Sequence, residues 1–131
     1  MIRTLAEDEA FALSGHIQMA VTSIGPAAVP ALIQLLQDPN PEVRAHAAVA
    51  LNWIGPGARD AVPALVRALQ DDRRRVRQGA AFALFRIGPD AKDAVPVLIK
   101  ALQDEDPEVR RVAGLALQSV DVDAAATQGV K

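Results

Sequence analysis

The stretch Ala28-Val29-Pro30-Ala31-Leu32-Ile33-Gln34-Leu35-Leu36-Gln37-Asp38 decides the fold, because it occurs three times. It returns as Ala61-Val62-Pro63-Ala64-Leu65-Val66-Arg67-Ala68-Leu69-Gln70-Asp71 and as Ala94-Val95-Pro96-Val97-Leu98-Ile99-Lys100-Ala101-Leu102-Gln103-Asp104, 33 residues apart each time. A fixed period of this length is the signature of stacked repeats, each too small to bury its own apolar face. Within the stretch, Val29, Leu32, Ile33 and Leu36 stand at i, i+3, i+4 and i+7, the stripe of an amphipathic helix. Asp60 and Asp93 precede their copies and are expected to cap them, leaving Pro63 and Pro96 in the first turn, where a missing N–H costs nothing.

Outward from each copy lies a second helical segment: Val43-Arg44 to Ile54-Gly55-Pro56, Val76-Arg77 to Ile87-Gly88-Pro89, and Val109-Arg110 to Val120. Asp38-Pro39-Asn40-Pro41 and Asp104-Glu105-Asp106-Pro107 make the turn between the two helices, and Gly-Pro stops the second. A worn copy precedes the first, with Leu13, Ile17, Ala20, Val21 and Ile24 matching Val43, Ala47, Ala50, Leu51 and Ile54 at an offset of 30 residues. The expected organisation is one domain of four helical hairpins, roughly 1–24, 28–54, 61–87 and 94–120, with 121–131 as a frayed tail.

Composition agrees with closely packed helices. Half of the 131 residues are hydrophobic (50%) while 3% are aromatic, so the apolar mass is aliphatic and alanine-rich rather than suited to a β-sandwich. Fourteen Lys+Arg against sixteen Asp+Glu leave a net charge of -2, the balance of neither a charged tail nor a generic nucleic-acid binder. With no cysteine, disulfides, thiolate metal sites and cysteine nucleophiles are excluded. Arg3, Glu7, Asp8 and Glu9 occupy the place of a secretory signal's apolar run, and no stretch reaches the roughly 18 apolar residues of a membrane span. A soluble, cytoplasmic protein is expected.

The residues also carry a family resemblance. The Asp-x-x-x-x-Val-Arg units (Asp38/Val43-Arg44, Asp71/Val76-Arg77, Asp104/Val109-Arg110), the Ile-Gly endings and the Ala-Val-Pro-x-Leu openings resemble HEAT repeats, in particular the short type named after phycobilisome lyases. The resemblance covers 28–120 strongly and 8–24 weakly. It implies an all-α, right-handed α-α superhelix, a HEAT-like α-solenoid, whose second helices line a concave surface that usually binds protein.

The three copies sort the second helix into columns. Columns that recur hold the stack together, and columns that vary are free for something else. At about 100° per residue from Val43, the recurring columns (Val43, Arg44, Ala47, Ala48, Ala50, Leu51, Ile54) span about -20° to 140°. The varying ones, headed by Glu42, Ala45, His46, Val49, Asn52 and Trp53, fall between about 180° and 300°. That varying face is apolar for one pointing away from the core: it holds Val49, Trp53, Phe82, Phe85, Val112 and Leu115, and Met19 of the worn copy. An exposed apolar patch marks an interaction site, and Trp with Arg is hot-spot composition. The expected partner-binding residues are Glu42, His46, Val49, Trp53, Arg75, Gln78, Phe82, Arg86, Arg111 and Leu115. Val49, Phe82 and Leu115 could equally be wide-core residues touching the neighbouring helix.

Sharper chemistry finds less support. Arg44, Arg77 and Arg110 recur at one column beside Asp38, Asp71 and Asp104, which points to a structural ladder bonding aspartates and turn carbonyls of the same or the next repeat. Arg73, Arg74, Arg75 and Arg77 form a basic run, but Asp71 and Asp72 adjoin it, so a protein is the expected partner and nucleic-acid binding through Arg73–Arg77 is the lesser alternative. His16 and His46 share a column without a third metal ligand. Ser14, Ser23 and Ser119 have no recognisable base, and no phosphate loop or HExxH motif occurs. No catalysis, cofactor or metal is expected, and the alternative of a phycobilin lyase-like, chromophore-handling subunit rests on the resemblance alone.

Overall fold

A computed structural model describes residues 25–130, which are helical and contain no strand. The first helices of the hairpins are α1 (Val29–Leu35), α3 (Val62–Ala68) and α5 (Val95–Ala101), and the second helices are α2 (Pro41–Ile54), α4 (Arg74–Ile87) and α6 (Pro107–Val120). A seventh helix, α7 (Val122–Thr127), follows. The expected hairpin 1–24, with Met19 and His16, lies outside the described residues.

The first helices have seven residues each, too few to persist alone, so tertiary packing holds them. Each repeat contributes the same two leucines to the centre of the stack: Leu32, Leu65 and Leu98 from the first helices, Leu51, Leu84 and Leu117 from the second. Alanines at the columns of Ala47 and Ala50 are buried beside them, and their small size lets the second helices approach closely. The second helices pack side by side in order, α2 on α4 and α4 on α6, to form an all-α solenoid.

Two features differ from the sequence reading. Asp60 and Asp93 do not cap α3 and α5. They lie exposed in 3₁₀ helices, Gly55–Ala61 and Gly88–Ala94, that run into the α-helices through Ala61 and Ala94, already in the right-handed helical region. The N–H of Val62 donates to the Arg59 carbonyl and that of Val95 to the Lys92 carbonyl, so the helix starts are satisfied by the backbone and need no carboxylate. Each connector kinks at an alanine outside the helical region, Ala58 or Ala91, and these two alanines together with Ala61 and Ala94 are fully buried. Both connectors begin at a glycine with φ of 70° (Gly55) or 74° (Gly88), a value that favours glycine and ends the preceding helix as expected.

The segment after Val120 is not a frayed tail. The Asp121 carboxylate accepts from the N–H groups of Asp123 and Ala124 and caps α7, Ala125 is buried, and Val130 returns to the core. Val130 packs against the Cα of Gly114, whose added Cβ would lie 3.5 Å from its Cγ1. Gly114 occupies the column of Ala48, which in the preceding repeats faces the next second helix, so the tail covers the surface on which another repeat would stack. Among the described residues no helix is long and apolar enough to cross a membrane.

Candidate functional site

The second helices present their varying columns on the side turned away from the first helices, and the centre of that side is open. Trp53 is 52% exposed and Val49 43%; with Val122 they are the exposed large hydrophobic residues among those described. Phe82 and Leu115, which share the column of Val49, are half-buried, and Phe82 packs against the core as well as facing outward. Arg86 and Arg111 are exposed, Gln78 and His46 half-buried.

The edges of the face are closed. Val112, expected on the exposed side, is fully buried, and so is its column-mate Gly79; Ala45 is buried too, and Phe85 is half-buried against the core. Counting 100° per residue describes one helix in isolation, whereas stacked helices lie about 8–10 Å apart and cover each other's flanks. A Cβ on Gly79 would sit 2.9 Å from the Ala48 Cβ, so the column of His46, Gly79 and Val112 is directed at the preceding repeat and the column of Ala48 at the following one. The open face is therefore narrower than the varying columns, centred on those of Glu42, Val49 and Trp53.

Charged groups on the face are largely paired with one another. Arg75 donates to Glu42 at 3.3 Å across two repeats, and Arg111 forms an ion pair with Glu108 one turn away. That hydrogen-bonded guanidinium holds the Glu108 carboxyl below the usual glutamate range, against a smaller opposite effect of burial. Gln78 Nε2 donates to Asp106 Oδ2 at 2.9 Å, and Asp106 also accepts from the Val109 N–H as the N-cap of α6. The Gln78 amide lowers the Asp106 pKa most; the backbone bond and the charges of Arg74 and Arg77 act in the same direction, and desolvation opposes them. Arg86 makes no ion pair or hydrogen bond with a described residue and lies over the end of α2, its Nη2 3.7 Å from the place a Gly55 Cβ would occupy.

The recurring arginines form a ladder. Arg44 Nε reaches Asp71 Oδ2 at 2.8 Å while its Nη1 donates to the carbonyls of Asp38 and Pro39. Arg77 repeats the pattern on Asp104 at 3.0 Å and on the carbonyls of Asp71 and Asp72. Each aspartate also closes its own turn, accepting from the N–H two residues on. The column is structural, and it takes Arg77 out of the basic run; Arg75 is taken out by Glu42, and Asp72 and Glu105 line the same groove as Arg73 and Arg74.

Two features escaped the sequence. Asn52 Oδ1 is a buried acceptor without a partner among the described residues, directly beside Trp53 in the chain. Ser119, in the column of Trp53 and Arg86, donates its hydroxyl to the Phe85 carbonyl at 2.8 Å, tying α6 to the end of α4. Neither feature has a sequence signal, because both depend on how the repeats pack against one another.

A family model described as HEAT repeats matches residues 2–85 and 73–129. The chain is similar to the crystal structure of an engineered protein from the Northeast Structural Genomics Consortium, with a TM-score of 0.65 at 29% sequence identity. That similarity covers 95% of this chain and 60% of the engineered one, so this chain spans 60% of the length of that protein. No curated protein matches.

Proposed function

This chain belongs to the HEAT-repeat family, whose repeats generally mediate protein–protein interaction, and from that premise we propose that it is a non-enzymatic binding module. The partner is a protein or peptide, and it docks on the concave face formed by α2, α4 and α6. The observation that carries this reading is the exposure of Trp53 and Val49 at the centre of a side whose flanks are packed shut. Large side chains left in water beside a well-packed core are the composition of an interface centre, surrounded here by the charged rim of Glu42, Arg75, Arg86 and Arg111. Phe82 and Leu115 extend the apolar strip, while Gln78 and His46 stand at its margin.

The test is capture of partner proteins from a lysate of the cells that make the chain, with wild-type bait, Trp53→Asp and Gln70→Glu. Gln70 is exposed at the end of a first helix, away from the proposed face. A protein retained by wild type and Gln70→Glu but lost from Trp53→Asp is the expected result. Equal capture by all three, with the far-UV circular dichroism of each unchanged, would overturn the reading.

A further inference from the structure

Within the face described above, one arginine stands apart from the others. The rest are neutralised from within, Arg75 by Glu42 and Arg111 by Glu108, while Arg86 is exposed and meets no carboxylate among the described residues. The guanidinium lies across the end of α2 beside Gly55, two residues after Trp53. The carbonyl end of a helix carries partial negative charge and attracts a cation there without saturating its five donors. Arg86 thus reaches the end of the preceding repeat that displays Trp53, although the two are 33 residues apart in sequence. Its donors are left for an anion from outside.

Resting on the binding function proposed above, we infer that the occupant is an extended peptide segment with an apolar residue for Val49, Trp53 and Phe82 and an Asp or Glu about three positions away for Arg86. The spacing follows from the stack. Neighbouring second helices lie about 8–10 Å apart, and an extended chain advances about 3.3 Å per residue. A peptide crossing from α2 to α4 therefore spans the two helices in about three residues, and because the Arg86 guanidinium reaches back over the end of α2, the acidic residue lies within about that distance of the apolar one. The carboxylate supplies a charge-assisted pair to a fork whose geometry matches it, and the apolar residue removes the exposed indole from water.

A phage library of random twelve-residue peptides, selected in parallel on wild type, Arg86→Glu and Trp53→Ala, tests this directly. The indole of Trp53, the chain's only tryptophan, reports binding of the selected peptides by its fluorescence. Wild type is expected to enrich an apolar residue with an acidic one about three positions away, and Arg86→Glu to exchange the acidic preference for a basic one. Arg86→Ala should bind the selected peptides about tenfold more weakly, the size of one charge-assisted hydrogen bond, and the difference should shrink as salt is raised. Enriched peptides with no acidic preference, or with the same preference on Arg86→Glu, would overturn the inference and leave the binding face standing. No enrichment on wild type, or peptides bound equally by Trp53→Ala, would overturn both. Self-association abolished by Trp53→Asp would assign the face to a second copy and overturn the inference.

Discussion

Three arginines at one column offer a graded experiment on what holds the stack together. Arg77 is the most enclosed: its side chain is 9% exposed and that of its partner Asp104 13%, with both guanidinium edges used on the carboxylate and on two turn carbonyls. Truncation to alanine leaves a nearly buried carboxylate unpaired and two carbonyls without their donor, a loss of roughly 3–5 kcal/mol. Arg44 makes the same set of bonds at 18% exposure, so Arg44→Ala should cost less, about 2–3 kcal/mol. Arg110 is exposed and bonds only the Asp104 carbonyl among the described residues; Arg110→Ala should cost less than about 1 kcal/mol. Urea unfolding followed by circular dichroism, with melting temperatures alongside, measures the series. Arg77→Lys, which keeps the charge but not the fork, should fall between Arg77→Ala and wild type. If Arg77→Ala and Arg110→Ala are equally mild, the arginine column does not join the repeats and the ladder is decoration on a stack held by apolar packing alone.

Two further outcomes follow from the packing and the titrating groups. Gly79→Val should destabilise by about 2 kcal/mol despite valine's better helix propensity, because its Cβ would meet the Ala48 Cβ at 2.9 Å; Ala48→Gly in the same chain should recover part of the loss, and additive effects of the two would show that they do not touch. The Asp106 carboxyl is held below its ordinary value in the folded chain, so its stabilising effect is present above about pH 4 and is lost as pH falls through the lowered folded pKa. Asp106→Asn keeps an N-cap, as Asn40 does on α2, and removes the charge. The stability gap between wild type and Asp106→Asn should be widest at neutral pH and close under acid, whereas parallel denaturation curves across that range would refute the assignment.

Everything that repeats is readable from the residues alone. The 33-residue period, the helix pairs, the Gly-Pro stops at Gly55 and Gly88 and the buried leucines are properties of one helical turn or one tight turn copied along the chain, so they are legible locally. The arginine ladder was legible for the same reason, since the same arginine stands at one column of every copy, and in two of them it reaches the aspartate of the following copy. The features that no single copy reveals lie where one repeat meets another or where the period of the repeat is broken. Asp60 and Asp93 have capping chemistry, but a 3₁₀ helix arriving from the preceding repeat had already satisfied the N–H groups they were to serve. Val112 and Gly79 belong to a varying column and are buried all the same, and residues 122–127 fold into a helix after the repeat that ends at Val120. A helical wheel fixes the direction of a side chain about its own axis. Whether that direction ends in water depends on how near the next axis lies, and that distance is set by the side chains of two repeats together.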